Sequence, residues 1–109
     1  MKLVLAIIND EDAFTAMDQL NEKGYSVTKL ATTGGFLRAG NTTLICGCDE
    51  DRVEEFVGII EQKCKSRKKI GSVNSGGISA NESYVPFPVE ITVGGATVFV
   101  LNVDEFIKI

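Results

Sequence analysis

The alternation of apolar and polar residues predicts a strand–helix–strand unit at the start of the chain. Leu3–Ile8 is an unbroken apolar run, which is typical of a strand buried on both faces. A helix is predicted over 12–23, where three apolar residues recur at helical spacing: Phe14, Met17 and Leu20. Gly24 is expected to end that helix. The β-branched residues that follow predict a second strand over 25–32.

The same order of elements recurs further along the chain. Asn41–Cys48 predicts a third strand. A second amphipathic helix is predicted after it, because several apolar residues share one helical face: Val53, Phe56, Val57, Ile60 and Cys64. Acidic residues precede both helices, and we interpret Asp10–Asp12 and Asp49–Asp51 as residues that cap the helix N-termini.

The C-terminal part of the chain predicts irregular structure followed by a hairpin. Residues 65–88 have no sustained period and are rich in Gly, Ser and Asn, so a long mobile loop is predicted there. Val89–Val93 and Ala96–Leu101 are β-like runs on either side of Gly94–Gly95, which predicts a hairpin. The apolar residues 98–101 lead us to expect that oligomerisation buries the outer face of the sheet.

These elements together predict the fold class. Two β-α-β units form an α+β, ferredoxin-like sheet backed by two helices, with an extra C-terminal hairpin strand. The length fits a single domain over 1–109.

Composition excludes several classes of function. The chain has no histidine, which removes histidine-based acid–base catalysis and zinc sites that need imidazole. Fifteen acidic and eleven basic residues give a net charge of −4, which disfavours DNA or RNA as a partner. No apolar run is long enough for membrane insertion, and no leader pattern is present.

The same composition indicates a cytoplasmic protein that is not an enzyme. Its three cysteines are expected to be reduced and structural, with Cys46 and Cys48 on one face of a strand. No nucleophile with a neighbouring base is recognisable, and no metal site is expected. A basic cluster over 63–69 could attract a phosphate or an acidic partner, but a solvated helix end is the favoured interpretation.

The glycine-rich segment 32–43 is the strongest candidate for a ligand loop. Its glycines allow backbone N–H groups to turn towards an anion, although the spacing is not that of a P-loop. Phe36 and Leu37 lie in the middle of this loop, and burying each side chain is worth roughly 1.5–3 kcal/mol. The residues alone favour a connection in which both fold back onto the core; the alternative is that they cover a flat aromatic base.

Two segments resemble a known family. Residues 28–43 and 83–101 look like the signature of the PII-like cyclic di-AMP receptors, called PstA or DarA. The resemblance implies a non-enzymatic, ferredoxin-like homotrimer that binds cyclic di-AMP in clefts between subunits and needs no other cofactor. It also implies that ligand-responsive loops pass the signal to an unidentified protein partner.

The resemblance also implies a set of ligand-binding residues: Ser26, Thr28, Gly35, Phe36, Leu37, Asn41 and Gly47. By this resemblance Phe36 and Leu37 would cover adenine. Thr28 and Asn41 would hydrogen-bond to phosphate or base, and Gly47 would let the ligand approach its strand closely.

Three departures from the family pattern keep alternatives open. Gly24 and Ser26 stand where the family usually has an Asn and an Arg, and 107–109 stands where it has His-Gln-Phe. Loss of an Arg contact costs on the order of 1.5–3 kcal/mol, or roughly 10–150-fold in affinity. The alternatives are a divergent PII-like module that binds another nucleotide such as ATP or ADP, and a ligand-free interaction protein.

Overall fold

A computed structural model of the chain describes residues 1–30, 40–72 and 88–109. The elements in these ranges are β1 (Lys2–Asn9), α1 (Asp10–Glu22), β2 (Val27–Leu30), β3 (Asn41–Cys48), a 3₁₀ turn (Glu50–Arg52), α2 (Val53–Cys64), β4 (Arg67–Ser72), β5 (Pro88–Val93) and β6 (Ala96–Asn102). Among the described helices, none combines the length and apolar composition that a membrane crossing requires.

Four strands form one antiparallel sheet in the order β2-β3-β1-β6. β1 lies in the centre and pairs with β3 along its whole length, from Lys2 opposite Cys48 to Asn9 opposite Asn41. α1 and α2 pack against each other and against one face of this sheet. The strand order and the two helices confirm the predicted α+β, ferredoxin-like fold class.

β4 and β5 form a separate two-stranded antiparallel sheet, which we call the β4–β5 arm. The hairpin predicted across Gly94–Gly95 is therefore wrong, because β5 pairs with β4 whereas β6 pairs with β1. Both glycines have positive φ angles, of 83° and 97°, but they turn the chain from the arm into the main sheet. β4 and β5 thus precede β6 in the chain, and they form their own sheet instead of extending the ferredoxin-like sheet.

The loop predicted over 65–88 is also wrong where the structure describes it. Arg67–Ser72 forms β4, and Pro88 begins β5. The sequence of β4 has no apolar period of its own, so only its partner strand reveals it. Residues 73–87 of the predicted loop lie outside the described residues.

The core lies between the two helices and the sheet. Val4, Ala6 and Ile8 of β1 and Leu44 and Cys46 of β3 are almost completely buried there. The intervening residues of β1 are only half-buried. The prediction that β1 is buried on both faces is therefore wrong, because the helices cover only one of them.

The two helices differ in how well their buried faces were predicted. In α2, Phe56, Ile60 and Cys64 are buried as predicted. In α1, Leu20 is buried, but Phe14 is 80% exposed and the prediction for it is wrong. Ala13 and Ala16 face the sheet instead, because their small side chains let the helix pack closely against it.

The acidic residues at the helix starts do not cap them through side chains. Asn9 and Asp49 occupy the N-cap positions, and neither makes a side-chain capping hydrogen bond. Asp10 accepts a hydrogen bond from Thr42, and Asp12 pairs with Arg67. The capping prediction is therefore wrong in its contacts, although the negative charges still lie at the favourable end of the α1 dipole.

Candidate functional site

The face of the sheet opposite the helices, which we call the open face, carries most of the predicted ligand-binding residues that the structure describes. The register places two rows across it: Thr28, Ile45, Leu5 and Phe99, and then Gly47, Leu3 and Leu101. Phe99 is 51% exposed and Leu101 44% exposed. A contiguous apolar surface of this kind is typical of a contact with another molecule.

Thr28, Gly47 and Ser26 lie at one end of the open face. Thr28 is opposite Ile45, so Gly47 is its diagonal neighbour on the same face, at a typical separation of about 7–8 Å. Ser26 immediately precedes β2 at this end, and all three residues are exposed. The structure therefore brings these three predicted residues together, and we call them the Thr28 group.

Gly47 leaves open space above its strand. Among residues 1–30, 40–72 and 88–109, a Cβ atom built there would meet only the Met1 Sδ, at 3.6 Å, which is an ordinary contact distance. Its φ angle is not positive. The fold of the described chain therefore does not require glycine at this position, and any requirement must come from something that approaches the open face.

The C-terminal tail leaves the sheet at the same end. The Val103 N–H donates to the Met1 carbonyl at 3.3 Å, beside the pair formed by Lys2 and Asn102. Phe106, Ile107 and Ile109 in this tail are largely exposed. The tail thus begins near the Thr28 group, although its residues differ from the family pattern.

Asn41 lies at the other end of the open face. It begins β3, six residues before Gly47, which corresponds to about 20 Å along the strand. Its neighbours are fixed to α1: the Asp10 N–H donates to the Gly40 carbonyl at 2.8 Å, and the Thr42 hydroxyl donates to Asp10 Oδ1 at 2.5 Å. Asn41 is therefore well separated from the Thr28 group within one subunit.

The remaining predicted residues, Gly35, Phe36 and Leu37, lie outside the described residues. Their segment joins β2 to β3, and Leu30 and Thr43 are paired at that end of the two strands. The glycine-rich segment is therefore attached at the Asn41 end of the open face.

Tyr25 fixes the turn from α1 into β2, a role that no local sequence pattern predicts. Its hydroxyl donates to Glu55 Oε1 at 2.7 Å and lies 2.8 Å from the Arg52 carbonyl. The Arg52 guanidinium lies 4.0 Å from the centre of the Tyr25 ring and also donates to the Lys23 carbonyl. Burial and the hydrogen bond with Glu55 raise the pKa of Tyr25 to about 12.

Gly24 lies in this turn, at the position where the family resemblance implies an Asn. Gly24 has a φ of 90°, a left-handed conformation that glycine adopts freely and Asn tolerates better than most other residues. Gly24 therefore allows the backbone conformation that an Asn can also adopt here, but it lacks the side chain of the Asn that the family resemblance implies. Ser26 follows the buried Tyr25 and remains exposed at the edge of the Thr28 group.

Two grooves lie elsewhere. One of about 330 Å³ lies between α1 and β2, with Phe14, Asp18 and Lys29 in its lining. Another of about 440 Å³ lies between α2 and β6, with Val57 and Val98 in its lining. Of the predicted ligand-binding residues that the structure describes, none lines either groove.

The cysteines are structural in this arrangement. Cys46, Cys48 and Cys64 are buried and unpaired. Burial raises the pKa of Cys46 and of Cys64 to about 11. Because the thiolate is the reactive form, these thiols are poor nucleophiles at neutral pH.

Comparison with known proteins agrees with the resemblance in the sequence. The model of a family described as cyclic-di-AMP receptor matches residues 1–109. A crystal structure of a functionally unknown protein from Pediococcus pentosaceus superposes with a TM-score of 0.77 and is 40% identical, covering 99% of this chain and 96% of that chain. The chain therefore belongs to the cyclic-di-AMP receptor family.

Proposed function

We propose that the protein is a non-enzymatic receptor that binds cyclic di-AMP in clefts between the subunits of a homotrimer. The observation that carries the proposal is the division of the predicted site. The Thr28 group and Asn41 lie on the same face of one sheet but at opposite ends of it.

The separation of these residues favours a ligand shared between subunits. About 20 Å of strand between Asn41 and Gly47 is farther than one purine base can span. If both ends contact the same base of the ligand, the Asn41 end of one subunit has to meet the Thr28 group of a neighbour. A head-to-tail contact of this kind gives a closed ring when its rotation is 120°, which is the geometry that a homotrimer needs.

The apolar open face supports the same assembly. Leu5, Ile45 and Phe99 form a row that the helices of the same subunit do not cover. Burial of such a row against other subunits is favourable in proportion to the apolar area that leaves water. Oligomerisation therefore accounts both for the exposed apolar side chains and for the shared cleft.

The roles of the individual residues follow from their chemistry. Thr28 and Asn41 supply hydrogen-bonding groups for phosphate or base, and Gly47 provides the open space for close approach. Phe36 and Leu37 supply apolar cover for adenine, as the family resemblance implies. Ser26 offers a hydroxyl where an Arg would offer a charged, two-pronged contact.

A receptor role suits this chemistry better than catalysis. The chain has no histidine, and burial keeps the Cys46 and Cys64 thiols protonated at neutral pH. The signal would then leave the protein through a change that a protein partner recognises, in a cytoplasmic setting.

Calorimetric titration with cyclic di-AMP, cyclic di-GMP and ATP tests the proposal. We expect saturable heat with cyclic di-AMP, one ligand per subunit, and a trimeric mass by sedimentation. Absence of heat with cyclic di-AMP at tens of micromolar protein would contradict it. Binding of ATP or ADP instead would select the divergent module that Gly24 and Ser26 favour, and a partner captured without any nucleotide response would select an interaction protein.

A further inference from the structure

We propose that the ion pair between Asp12 and Arg67 makes the first turn of α1 a link between the start of β3 and the β4–β5 arm. The proposal rests on the proposed function, because the state that the link transmits is occupancy of the cyclic di-AMP site. Asp12 and Arg67 are positioning residues in this proposal, and neither is expected to touch the ligand.

The pair has a geometry that holds the arm in one orientation. Arg67 Nη2 lies 2.8 Å from Asp12 Oδ1, and Nη1 lies 3.3 Å from Oδ2, so both carboxylate oxygens are engaged. The Asp12 side chain is only 7% exposed, whereas that of Arg67 is 42% exposed. Separating a buried carboxylate from its cation is strongly unfavourable. A two-pronged contact also fixes the direction of the guanidinium as well as its distance.

Arg67 is the first residue of the arm, and the other strand of the arm leaves at the same place. The Arg67 Nη1 also donates to the Lys65 carbonyl at 3.0 Å, and the Gly95 N–H donates to the Cys64 carbonyl at 2.5 Å. A Cβ atom on Gly94 would lie 2.5 Å from Arg67 Nη1, so the glycine leaves the space that the guanidinium occupies. The base of the arm is therefore packed around this one side chain.

The same turn of α1 holds the start of β3. The Asp10 N–H donates to the Gly40 carbonyl at 2.8 Å, and Asp10 Oδ1 accepts from the Thr42 hydroxyl at 2.5 Å. Asp10 and Asp12 lie within a single helical turn, so they move together. A displacement at Gly40, which adjoins the glycine-rich segment, therefore reaches Asp12 and through it Arg67.

Another ion pair in the arm provides a matched control. Lys68 Nζ lies 3.8 Å from Glu90 Oε1, and both side chains are more than half exposed, at 68% and 62%. An exposed pair at this distance contributes little. Arg67→Met and Lys68→Met therefore remove the same charge from adjacent residues of β4, but only the first breaks the contact with α1.

Hydrogen exchange of the backbone amides in β4 and β5 tests the anchoring without ligand. We expect Arg67→Met to speed exchange in the arm by about tenfold relative to Lys68→Met, with exchange in β1 unchanged. Arg67→Lys keeps the charge but not the two-pronged contact, and should restore part of the protection. Equal exchange in the Arg67→Met and Lys68→Met proteins would overturn the proposal.

Transmission through α1 is tested from the other side of the link. Thr42→Val removes the hydrogen bond to Asp10 and is expected to speed exchange in the arm several-fold. Thr43→Val makes the same change on the opposite face of β3 and should leave the arm unaffected. An arm that exchanges equally in both proteins would show that α1 carries no signal.

The last comparison uses cyclic di-AMP. We expect the ligand to slow exchange in the arm of the unmodified protein and not in the Arg67→Met protein, while both bind it with dissociation constants within about threefold. Equal slowing in both proteins, or none in the unmodified protein with ligand bound, would overturn transmission. Failure of the ligand to bind would overturn the proposed function instead, and the ligand-free comparisons would still decide the link.

Discussion

The two faces of the main sheet use the same strands for different purposes. On the covered face, Val4, Ala6 and Leu44 are fully buried by the helices of the same subunit. On the open face, Phe99 and Leu101 remain about half exposed although they pair with the same central strand. The helices therefore stabilise the fold of the chain, whereas the open face is available for contacts with other molecules.

The largest expected effect is on the covered face. Phe56 is completely buried, and its ring meets the edge of Tyr25 at a centroid distance of 5.4 Å. Phe56→Ala should lower the free energy of unfolding by about 3–5 kcal/mol, because it removes apolar contacts and leaves a cavity. Urea unfolding measures this loss. Phe14→Ala is the control, since Phe14 is 80% exposed and should change stability by less than about 0.5 kcal/mol.

If the proposed trimer forms through the open face, a charge there should break it without unfolding the chain. Phe99→Glu would bury an unpaired carboxylate between subunits, which should weaken association by about a hundredfold or more. Sedimentation should then give a monomer, with the circular dichroism of the folded protein retained. Phe14→Glu makes the same change on an exposed helix and should leave the trimer intact. A Phe99→Glu protein that sediments as a trimer would show that another surface forms the oligomer.

Gly47 should matter for the ligand and not for the fold. Gly47→Ala meets only Met1 at an ordinary distance, so the free energy of unfolding should change by less than about 0.5 kcal/mol. The added methyl group occupies the approach to the strand, and the dissociation constant for cyclic di-AMP should rise about tenfold. Gly58→Ala on α2 also finds open space and should leave ligand affinity unchanged. Calorimetric titration of the two proteins checks the difference, and equal affinities would remove Gly47 from the site.

Alkaline pH should lower the free energy of unfolding, because buried thiol and phenol groups ionise more easily in the unfolded chain. The pKa of Cys46 and of Cys64 is raised from 9.0 to about 11, and that of Tyr25 from 10.0 to about 12. A group whose pKa is raised in the folded state contributes its full stabilisation below its unfolded-state pKa. That contribution is lost as the pH rises through the folded-state pKa. The free energy of unfolding should therefore hold up to about pH 9 and fall towards about pH 12.

A Tyr25→Phe protein distinguishes the contribution of the tyrosine from that of the cysteines to this loss of stability at alkaline pH. It should be less stable at neutral pH, because the hydrogen bond from the Tyr25 hydroxyl to Glu55 is lost. It should also show a shallower loss of stability above about pH 10 in urea titrations. An unchanged slope would mean that Tyr25 does not titrate as its surroundings indicate.

Most of the fold could be predicted because its elements carry local patterns. The helical face of Phe56, Ile60 and Cys64 and the apolar run of β1 identify their elements directly. The prediction of a hairpin at Gly94–Gly95 was wrong because a pair of glycines indicates that the chain turns but does not indicate which strands pair on either side of the turn. Pairing of β6 with β1 depends on contacts between residues about as far apart in sequence as the chain allows.

The candidate site was only partly accessible from the sequence. The family resemblance implies roles for Thr28, Asn41 and Gly47, which stay predictions, but only the register shows that these residues lie at two ends of one face. The pairing of Asp12 with Arg67 and the anchoring by Tyr25 join residues that no local pattern connects. The roles of Gly35, Phe36 and Leu37 stay predictions.

Mixing two variants with weakened sites tests the shared cleft most directly. Asn41→Ala and Gly47→Ala each weaken every site in a trimer of identical subunits. After the two proteins are refolded together, about a quarter of the clefts should combine an intact Asn41 end with an intact Gly47 end. This fraction of sites should regain the affinity of the unmodified protein for cyclic di-AMP in a titration. A mixture in which no site recovers would contradict binding between subunits.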